Sequence, residues 1–300
     1  MDKISRAYYE VKYELVFLKM RGNEFQNFFS ELMEKRYPGD FQRVRPWGNS
    51  GDRKNDGYLA SRRILFQVYA PNEMSAAEAI KKIKDDFTSA FPYWEKYFDT
   101  WIFVHNSREG LGPDVVETLL SLKVNNSKIS VTNWGYEELR RELFLLNDND
   151  IESLLGPAPT DSSLNNLGFE QLQVVLSTIS RLPTPNEVDI RPVPQNKIRE
   201  NMLSDNVQEL IKYGMRRANL VEKFFASYYD PIFGDEIASA FHEYYGQLKR
   251  QMITPDLIFM KLQEFAGGAK RGTPEHEAAV LAVLAHLFEK CDIFERPRGG

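Results

Sequence analysis

The chain has 300 residues and a single cysteine, and its composition, 42% hydrophobic and 27% charged, is that of an ordinary globular protein. A chain of this length usually exceeds what one hydrophobic core organises, so we expect two domains. One cysteine excludes a disulfide framework and a cysteine-based zinc site. The apolar runs are far shorter than the ~20 residues of a spanning helix, and the charged N-terminus lacks a signal-peptide pattern, so we expect a cytoplasmic protein without membrane segments.

The charge is spread without a strongly basic region. The net charge is −5 at pH 7. Residues 1–150 hold 22 Lys and Arg against 23 Asp and Glu, and residues 151–300 hold 16 against 20. Neither half is a basic module, so contact with nucleic acid would depend on a local patch.

In the first half, helical and strand patterns alternate. Apolar residues at helical spacing predict helices over residues 25–37, 75–90, 112–122 and 136–146. Alternating or continuous β-rich runs predict strands over residues 41–46, 63–70, 100–105 and 129–132. This alternation predicts an α/β domain over residues 1–155, with a mixed or parallel sheet flanked by helices.

The pattern changes after residue 155. The segment 156–163 is rich in turn residues and predicts the start of a linker, which extends to residue 196 and contains one helix, at 167–179. Beyond it every segment has helical periodicity and ends at a glycine or a proline. We therefore predict an all-α domain over residues 197–300, with helices at 197–213, 216–229, 235–250, 255–266 and 275–290.

One constellation in the first half suggests chemistry. A glycine-rich turn brings Asp56 to the start of a strand, and the following strand carries Gln67 and Tyr69 on one face. A hairpin would bring Asp56 close to both, and Glu24 lies on an upstream helix. Carboxylate and amide oxygens bind hard divalent cations such as Mg²⁺, and a bound cation can activate water for phosphodiester hydrolysis.

This arrangement resembles the PD-(D/E)XK nucleases of the Mrr restriction-endonuclease type. In that family a helix with Gly-x-x-Phe-Glu precedes a G-D-x-G-x-D hairpin and a strand that ends in Gln-x-Lys. The corresponding residues here are Gly22-x-x-Phe25-Gln26, Gly51-Asp52 through Asp56, and Gln67-Val68-Tyr69. The resemblance covers about residues 15–105 and implies a restriction-endonuclease-like fold.

The resemblance also implies a site. The implied catalytic residues are Asp56, Gln67, Tyr69 and Glu24, and the implied ligands of a Mg²⁺ or Mn²⁺ ion are Asp56, Gln67 and Glu24. The chain departs from the family at two positions, because Gln26 replaces the helix glutamate and Tyr69 replaces the strand lysine. Lysines 81, 82 and 84 of the following helix are candidates for a displaced lysine.

The second half resembles the C-terminal domain of ABC-three-component system proteins. The resemblance spans about residues 165–297 and is carried by Lys197-Ile198-x-x-Asn201-x-Leu203 and by the ending Cys291-Asp292-Ile293-Phe294-Glu295. It implies a partner-docking module joined to an effector domain. The implied partners are an SMC- or Rad50-like ABC ATPase and a small middle component of a bacterial anti-phage or anti-plasmid system.

Three functions remain open at this point. The first is an effector that cleaves DNA as a metal-dependent endonuclease. The second is a catalytically inactive nuclease-fold module that binds DNA or partner proteins, an interpretation that Tyr69 in the lysine position favours. The third is different chemistry on the same fold, acting on a nucleotide, which the Gln67-Val68-Tyr69 variant would mark. Asp56 as a purely structural turn residue and Tyr69 as a core aromatic are the corresponding structural interpretations.

Overall fold

The structure, a computed structural model, describes residues 1–44, 55–179, 197–268, 272–290 and 292–295. The chain divides into two compact units. The first, called here the α/β unit, is Val16–Leu154, and the second, called the helical unit, combines Met1–Leu15 with Leu155–Gly300. The expected division assigned residues 1–15 to the α/β domain, whereas in the structure they belong to the helical unit.

The α/β unit contains one sheet and its flanking helices. The strands are β1 (Phe41–Arg43), β2 (Gly57–Leu59), β3 (Ile64–Tyr69), β4 (Thr100–His105) and β5 (Ser130–Trp134). The helices are α1 (Lys3–Lys19, which the unit boundary crosses), α2 (Gly22–Arg36), α3 (Ala76–Trp94), α4 (Pro113–Asn125), α5 (Tyr136–Leu143) and α6 (Asp148–Leu155).

The sheet is mixed and has the strand order β1-β2-β3-β4-β5. The first three strands are antiparallel neighbours, while β3, β4 and β5 run parallel. The central strands supply fully buried side chains such as Leu65 and Trp101, which pack against the apolar face of α3. The expected α/β class with a mixed sheet is confirmed.

Two helices of this region, α1 and α6, were not predicted from the sequence. Helix α1 carries six charged residues among its 17 and lacks a strong apolar stripe, so its sequence alone does not stand out. The predicted helix at 136–146 ends earlier, at Leu143, and a second short helix follows it. The predicted first strand ends at Arg43, and the rest of its span, residues 45 and 46, lies outside the described residues.

The helical unit is built around one buried helix. Its helices after α6 are α7 (Asp161–Asn165), α8 (Phe169–Ile179), α9 (Lys197–Glu200), α10 (Asp205–Met215), α11 (Ala218–Ser227), α12 (Phe233–Arg250), α13 (Pro255–Gln263) and α14 (Pro274–Lys290). Residues 277–288 of α14 are buried without interruption, so this helix is surrounded by the others. Gly214 allows α10 to pack closely against α14, because a Cβ at this position would lie 2.2 Å from the backbone oxygen of Leu281.

Part of the predicted linker belongs to this packed unit. The Tyr213 hydroxyl donates a hydrogen bond to the backbone oxygen of Thr160 at 2.6 Å, and Arg217 donates to that of Leu164 at 3.0 Å. Leu164 is fully buried. Two helices, α7 and α8, therefore lie where the sequence predicted one, and residues 180–196 lie outside the described part of the chain. Among the described helices, none combines the length and the apolar character needed to cross a bilayer.

Candidate functional site

Asp56 lies where the turn enters β2. Its backbone N–H donates to the Phe66 oxygen at 2.9 Å, and its own backbone oxygen accepts from Val44 at 3.2 Å. The β2–β3 register pairs Gly57 with Phe66, so continuing it by one residue sets Asp56 opposite Gln67. The predicted hairpin therefore does bring Asp56 and Gln67 together. The glycine-rich residues 48–54 lie outside the described residues.

The local sequence explains why this turn forms. The Asn55 side chain accepts a hydrogen bond from the Gly57 N–H at 2.8 Å, which closes a local turn around Asp56. Gly57 is needed because a Cβ there would lie 2.3 Å from the ring of Phe41. That ring belongs to the adjacent strand β1, so the close packing of β1 on β2 fixes the position of Asp56.

The Asp56 carboxylate is buried and accepts hydrogen bonds on both oxygens. Oδ2 accepts from the Gln67 side-chain amide at 2.8 Å and from the Val68 backbone N–H at 2.7 Å, and Oδ1 accepts from the Gln26 side-chain amide at 2.5 Å. Asp56 is 5% exposed. Several N–H donors directed at one buried carboxylate stabilise its negative charge without neutralising it. These three donors are neutral amide N–H groups.

Gln67 carries an unexplained polar atom. Its side chain is 3% exposed, and its Oε1 is buried without a hydrogen-bond partner among the described residues. A buried acceptor without a donor is costly and marks a place where a water or a cation is expected. The free oxygen belongs to the same amide group that donates to Asp56. The two side chains therefore place a buried carboxylate beside a buried neutral oxygen.

Glu24, the third predicted ligand, does not join this cluster. Its side chain is exposed, while the helix position that reaches Asp56 is Gln26. Two residues on a helix are separated by about 200° around the axis, so Glu24 and Gln26 project to different sides of α2. Gln26 is the residue that our list of site residues omitted. Its match to the helix-glutamate position of the Gly-x-x-Phe-Glu pattern was the signal that could have identified it.

Tyr69 and the α3 lysines have other environments. The Tyr69 ring packs against the core with its centroid 5.9 Å from that of Phe103, and burial, followed by the charge of Glu78, raises the pKa of its hydroxyl. Lys82 pairs with Asp86 of its own helix at 2.7 Å. Lysines 81 and 84 are exposed. Tyr69 is therefore a partly buried aromatic residue that packs against the core.

Divalent-cation chemistry can be tested against these side chains. No group of three His, Cys, Asp or Glu residues suited to a metal ion occurs in the described ranges. The Asp56 carboxylate and the Gln67 oxygen are hard ligands of the kind Mg²⁺ and Mn²⁺ take, and such ions commonly keep several waters in their coordination shell. Asp56 and Gln67 therefore fit a divalent cation, and Glu24 does not contribute to that fit.

The two sequence motifs of the helical unit, at residues 197–203 and 291–295, contact each other in the structure. The ammonium of Lys197, a residue only 1% exposed, donates to the backbone oxygens of Phe288 at 2.7 Å and Ile293 at 2.6 Å. The Asn201 side-chain amide donates to the backbone oxygen of Glu295 at 2.9 Å, and its oxygen accepts from the backbone N–H of Glu295 at 2.9 Å. The two motifs therefore form one clasp, although Cys291 lies outside the described residues.

The comparisons with known proteins identify this second region. No significant match was found among curated proteins or among solved structures. Residues 170–295 match the family model of C-terminal domain 10 of the ABC-three component (ABC-3C) systems. The match begins near the N-terminus of α8 and ends at the clasp, and it confirms the resemblance noted for the C-terminal half. It indicates that the chain is a component of an ABC-three component system, in which it acts with other components.

Proposed function

We propose that the chain is the effector of its ABC-3C system and that the α/β unit is a restriction-endonuclease-like domain that cleaves DNA with the help of a divalent cation. The observation that carries the proposal is the buried Asp56 with the unpartnered oxygen of Gln67 beside it. Unpartnered buried acceptors occur elsewhere in the described residues, for example Oε2 of Glu277, so the argument rests on the position of the Gln67 oxygen beside a buried carboxylate.

The order of the elements supports this proposal. Helix α2 precedes the β1-β2-β3 antiparallel strands, Asp56 immediately precedes β2, and Gln67 lies on β3. This is the helix–hairpin–strand order that the resemblance to PD-(D/E)XK nucleases implies. In addition, α2 contributes to the cluster through Gln26, at the position that carries glutamate in that family.

The chemistry assigns distinct roles to the residues. Asp56 and Gln67 would hold a Mg²⁺ or Mn²⁺ ion, which supplies charge stabilisation at a phosphodiester and favours ionisation of a bound water. The Gln26 amide and the Val68 N–H orient the Asp56 carboxylate. Tyr69 packs against Phe103 at the end of β3 and is uncharged at neutral pH, so it does not replace the positive charge of a lysine.

The proposed partner role belongs to the helical unit. We propose that it docks the effector on an SMC- or Rad50-like ABC ATPase and a small middle component of the system. The match of residues 170–295 to an ABC-3C C-terminal domain supports this assignment. The α/β unit would then act when those partners release or reposition it.

A specific observation favours a second candidate function. Tyr69 occupies the lysine position and is packed against the core, and the α3 lysines are exposed or paired with Asp86. A domain with this substitution would serve as a catalytically inactive nuclease-fold module that binds DNA or a partner protein. The two candidates differ in whether divalent ions convert DNA binding into cleavage.

The test is incubation of the purified full-length chain with plasmid DNA, with and without Mg²⁺ or Mn²⁺. We expect cleavage that requires the ion and that falls at least 100-fold in Asp56→Asn. Asp85→Asn, at an exposed carboxylate of α3, is the charge-matched control. Ile83→Ala, at a fully buried side chain, is the stability control and is expected to lose at least about 2 kcal/mol.

Both controls should cleave as the parent does. Equal cleavage by Asp56→Asn and the parent would refute a catalytic Asp56. Ion-independent DNA binding by the parent, with no cleavage under any of these conditions, would select the inactive module instead.

A further inference from the structure

A cavity of about 280 Å³ lies within the helical unit, among α11, α12, α14 and the segment that follows α14. Its walls are mostly apolar and include Phe225, Pro231 and Leu287. Its polar lining consists of Glu222, Asp235, His286, Lys290 and Asp292. The cavity is separate from the Asp56 cluster, which belongs to the α/β unit.

The buried carboxylate of Asp292 is the main reason to regard this cavity as a binding site. Asp292 is only 6% exposed, and it lines the cavity. Its backbone oxygen is bonded to His242, but within the described part of the chain its carboxylate makes no hydrogen bond and no ion pair. Its carboxylate oxygens are not among the fully enclosed polar atoms of the described residues, so they open on the cavity and can accept hydrogen bonds from a group that enters it.

Longer-range charges compensate Asp292 only in part. Burial raises the pKa of Asp292 to about 6, and attraction by Lys197, His242 and Lys290 opposes this rise while Asp235 adds to it. The Lys197 ammonium already donates to two backbone oxygens of the clasp. The carboxylate of Asp292 therefore remains available to a cation that enters the cavity.

The balance of charge in the cavity is negative. Glu222, Asp235 and Asp292 are opposed by Lys290 alone, and Lys290 is bound to Glu222 at 2.9 Å. His286 is neutral near pH 7, because burial lowers its pKa to about 4. Three acidic or histidine groups that could together hold a metal ion do not occur among the residues the structure describes. Apart from the Glu222–Lys290 pair, Asp235 and Asp292 are the two carboxylates of the lining that attract a cation.

We infer that this cavity receives an arginine side chain from a partner polypeptide of the ABC-3C system. The guanidinium is planar and carries several N–H donors, so it can contact more than one carboxylate and stack on a ring at the same time. The rings of Phe225 and His286, with centroids 5.7 Å apart, offer such a surface.

The surroundings of the cavity favour a polypeptide as the source of this cation. Tyr229 is 87% exposed and Ile232 is 56% exposed, and both flank Pro231 of the cavity wall along the chain. Exposed apolar side chains next to a pocket in the chain are a feature of protein interfaces, where arginine is among the residues that contribute most to affinity. The inference rests on the docking part of the proposed function and is independent of cleavage at Asp56.

The first test uses a small probe and the full-length chain. Saturation-transfer NMR with N-acetylarginine N-methylamide should detect binding to the parent, whereas the uncharged citrulline analogue should give little signal. Asp292→Asn and Asp235→Asn should each reduce the arginine signal at least fivefold. Asp205→Asn, an exposed carboxylate at the start of α10, should leave the signal unchanged.

Each other outcome of this test would overturn the inference. An equal signal in the parent and in Asp292→Asn, or no signal in the parent, would show that the cavity does not bind the cation. Folding is checked by melting at pH 7.5, where Asp292→Asn should melt at the same temperature as the parent or higher. Asp235 is exposed, so Asp235→Asn keeps the test valid if the buried substitution disturbs folding.

The second test uses the complete system. Full-length chain co-expressed with the other components should retain at least tenfold less of them when it carries Asp292→Asn, and Asp205→Asn should retain them normally. Equal retention by the parent and Asp292→Asn would overturn the inference. If the parent itself retains no component, the docking part of the proposed function fails, and the arginine probe still decides whether the cavity binds a cation.

Discussion

Asp56 in the α/β unit and Asp292 in the helical unit are both buried, but their carboxylates have different hydrogen-bond partners. In the α/β unit, Asp56 accepts hydrogen bonds on both oxygens from N–H groups of α2 and β3. In the helical unit, Asp292 is buried to a similar extent, but its carboxylate lacks a direct partner in the described ranges. Burial alone therefore does not identify a functional carboxylate. The hydrogen-bond partners of the carboxylate determine whether it is already satisfied within the fold or can bind a further group.

The comparison extends to the groups around each aspartate. Beside Asp56, the atom without a hydrogen-bond partner among the described residues is the neutral side-chain oxygen of Gln67. At Asp292, the group without such a partner is the carboxylate that lines the cavity. The first arrangement suits a small hard cation that adds to an already organised anion. The second arrangement suits an organic cation that brings its own N–H donors.

The largest effect on stability is expected from Lys197→Met. Its ammonium donates to two backbone oxygens in the clasp, and the substitution leaves both buried oxygens without a donor. We expect a loss of about 3 kcal/mol in the free energy of unfolding, measured by urea denaturation. Lys212→Met, at an exposed lysine paired with Glu209, should change it by less than about 0.5 kcal/mol. Equal losses in the two variants would contradict the structural role of the clasp.

An intermediate effect is expected from Asp56→Asn. The new amide would direct N–H groups at the N–H donors of α2 or β3, so one hydrogen bond is lost and a donor is left unsatisfied. We expect the free energy of unfolding to fall by roughly 2 kcal/mol, against almost no change in Asp85→Asn. If Asp56→Asn gave the same denaturation curve as the parent, the hydrogen bonds from the three N–H groups would not require the negative charge of Asp56, which would contradict this prediction.

The smallest effect concerns pH and Asp292. Its pKa is raised by burial to about 6, so the ionised form destabilises the fold above that pH and the protonated form removes the penalty below it. At pH 7.5 Asp292→Asn should exceed the parent in free energy of unfolding by about 1 kcal/mol, less than the full linkage value because the new amide is also buried. The difference should disappear as the pH falls from about 6 to 4, and a constant difference across this range would contradict the assignment.

The sequence predicted those parts of the fold that depend on local pattern. The buried strands β3 and β4 and the helix α3 follow from β-rich runs and helical periodicity, and the pairing of Asp56 with Gln67 follows from a turn before an alternating strand. The role of Gln26 was missed because Glu24 was chosen for its charge, whereas the orientation of α2 decides which residue reaches Asp56.

Long-range packing explains what the sequence left out. Lys197 and Ile293 lie 96 positions apart, and their hydrogen bond is visible only after the helical unit has folded. The cavity at Asp292 likewise needs α11, α12 and α14 to be packed around it. Residues 1–15 join the helical unit through tertiary contacts that no local pattern reports, for example the ion pair of Lys3 with Glu209 at 2.9 Å.

The binding of Mn²⁺ to the full-length chain, measured by titration calorimetry, tests most directly the claim that Asp56 and Gln67 form a cation site. We expect one saturable site in the parent, loss of that site in Asp56→Asn, and tighter binding in Gln26→Glu, because a second carboxylate would then face Asp56. Asp85→Asn should bind as the parent does. Equal Mn²⁺ binding by the parent and Asp56→Asn, or no binding by the parent, would contradict the account.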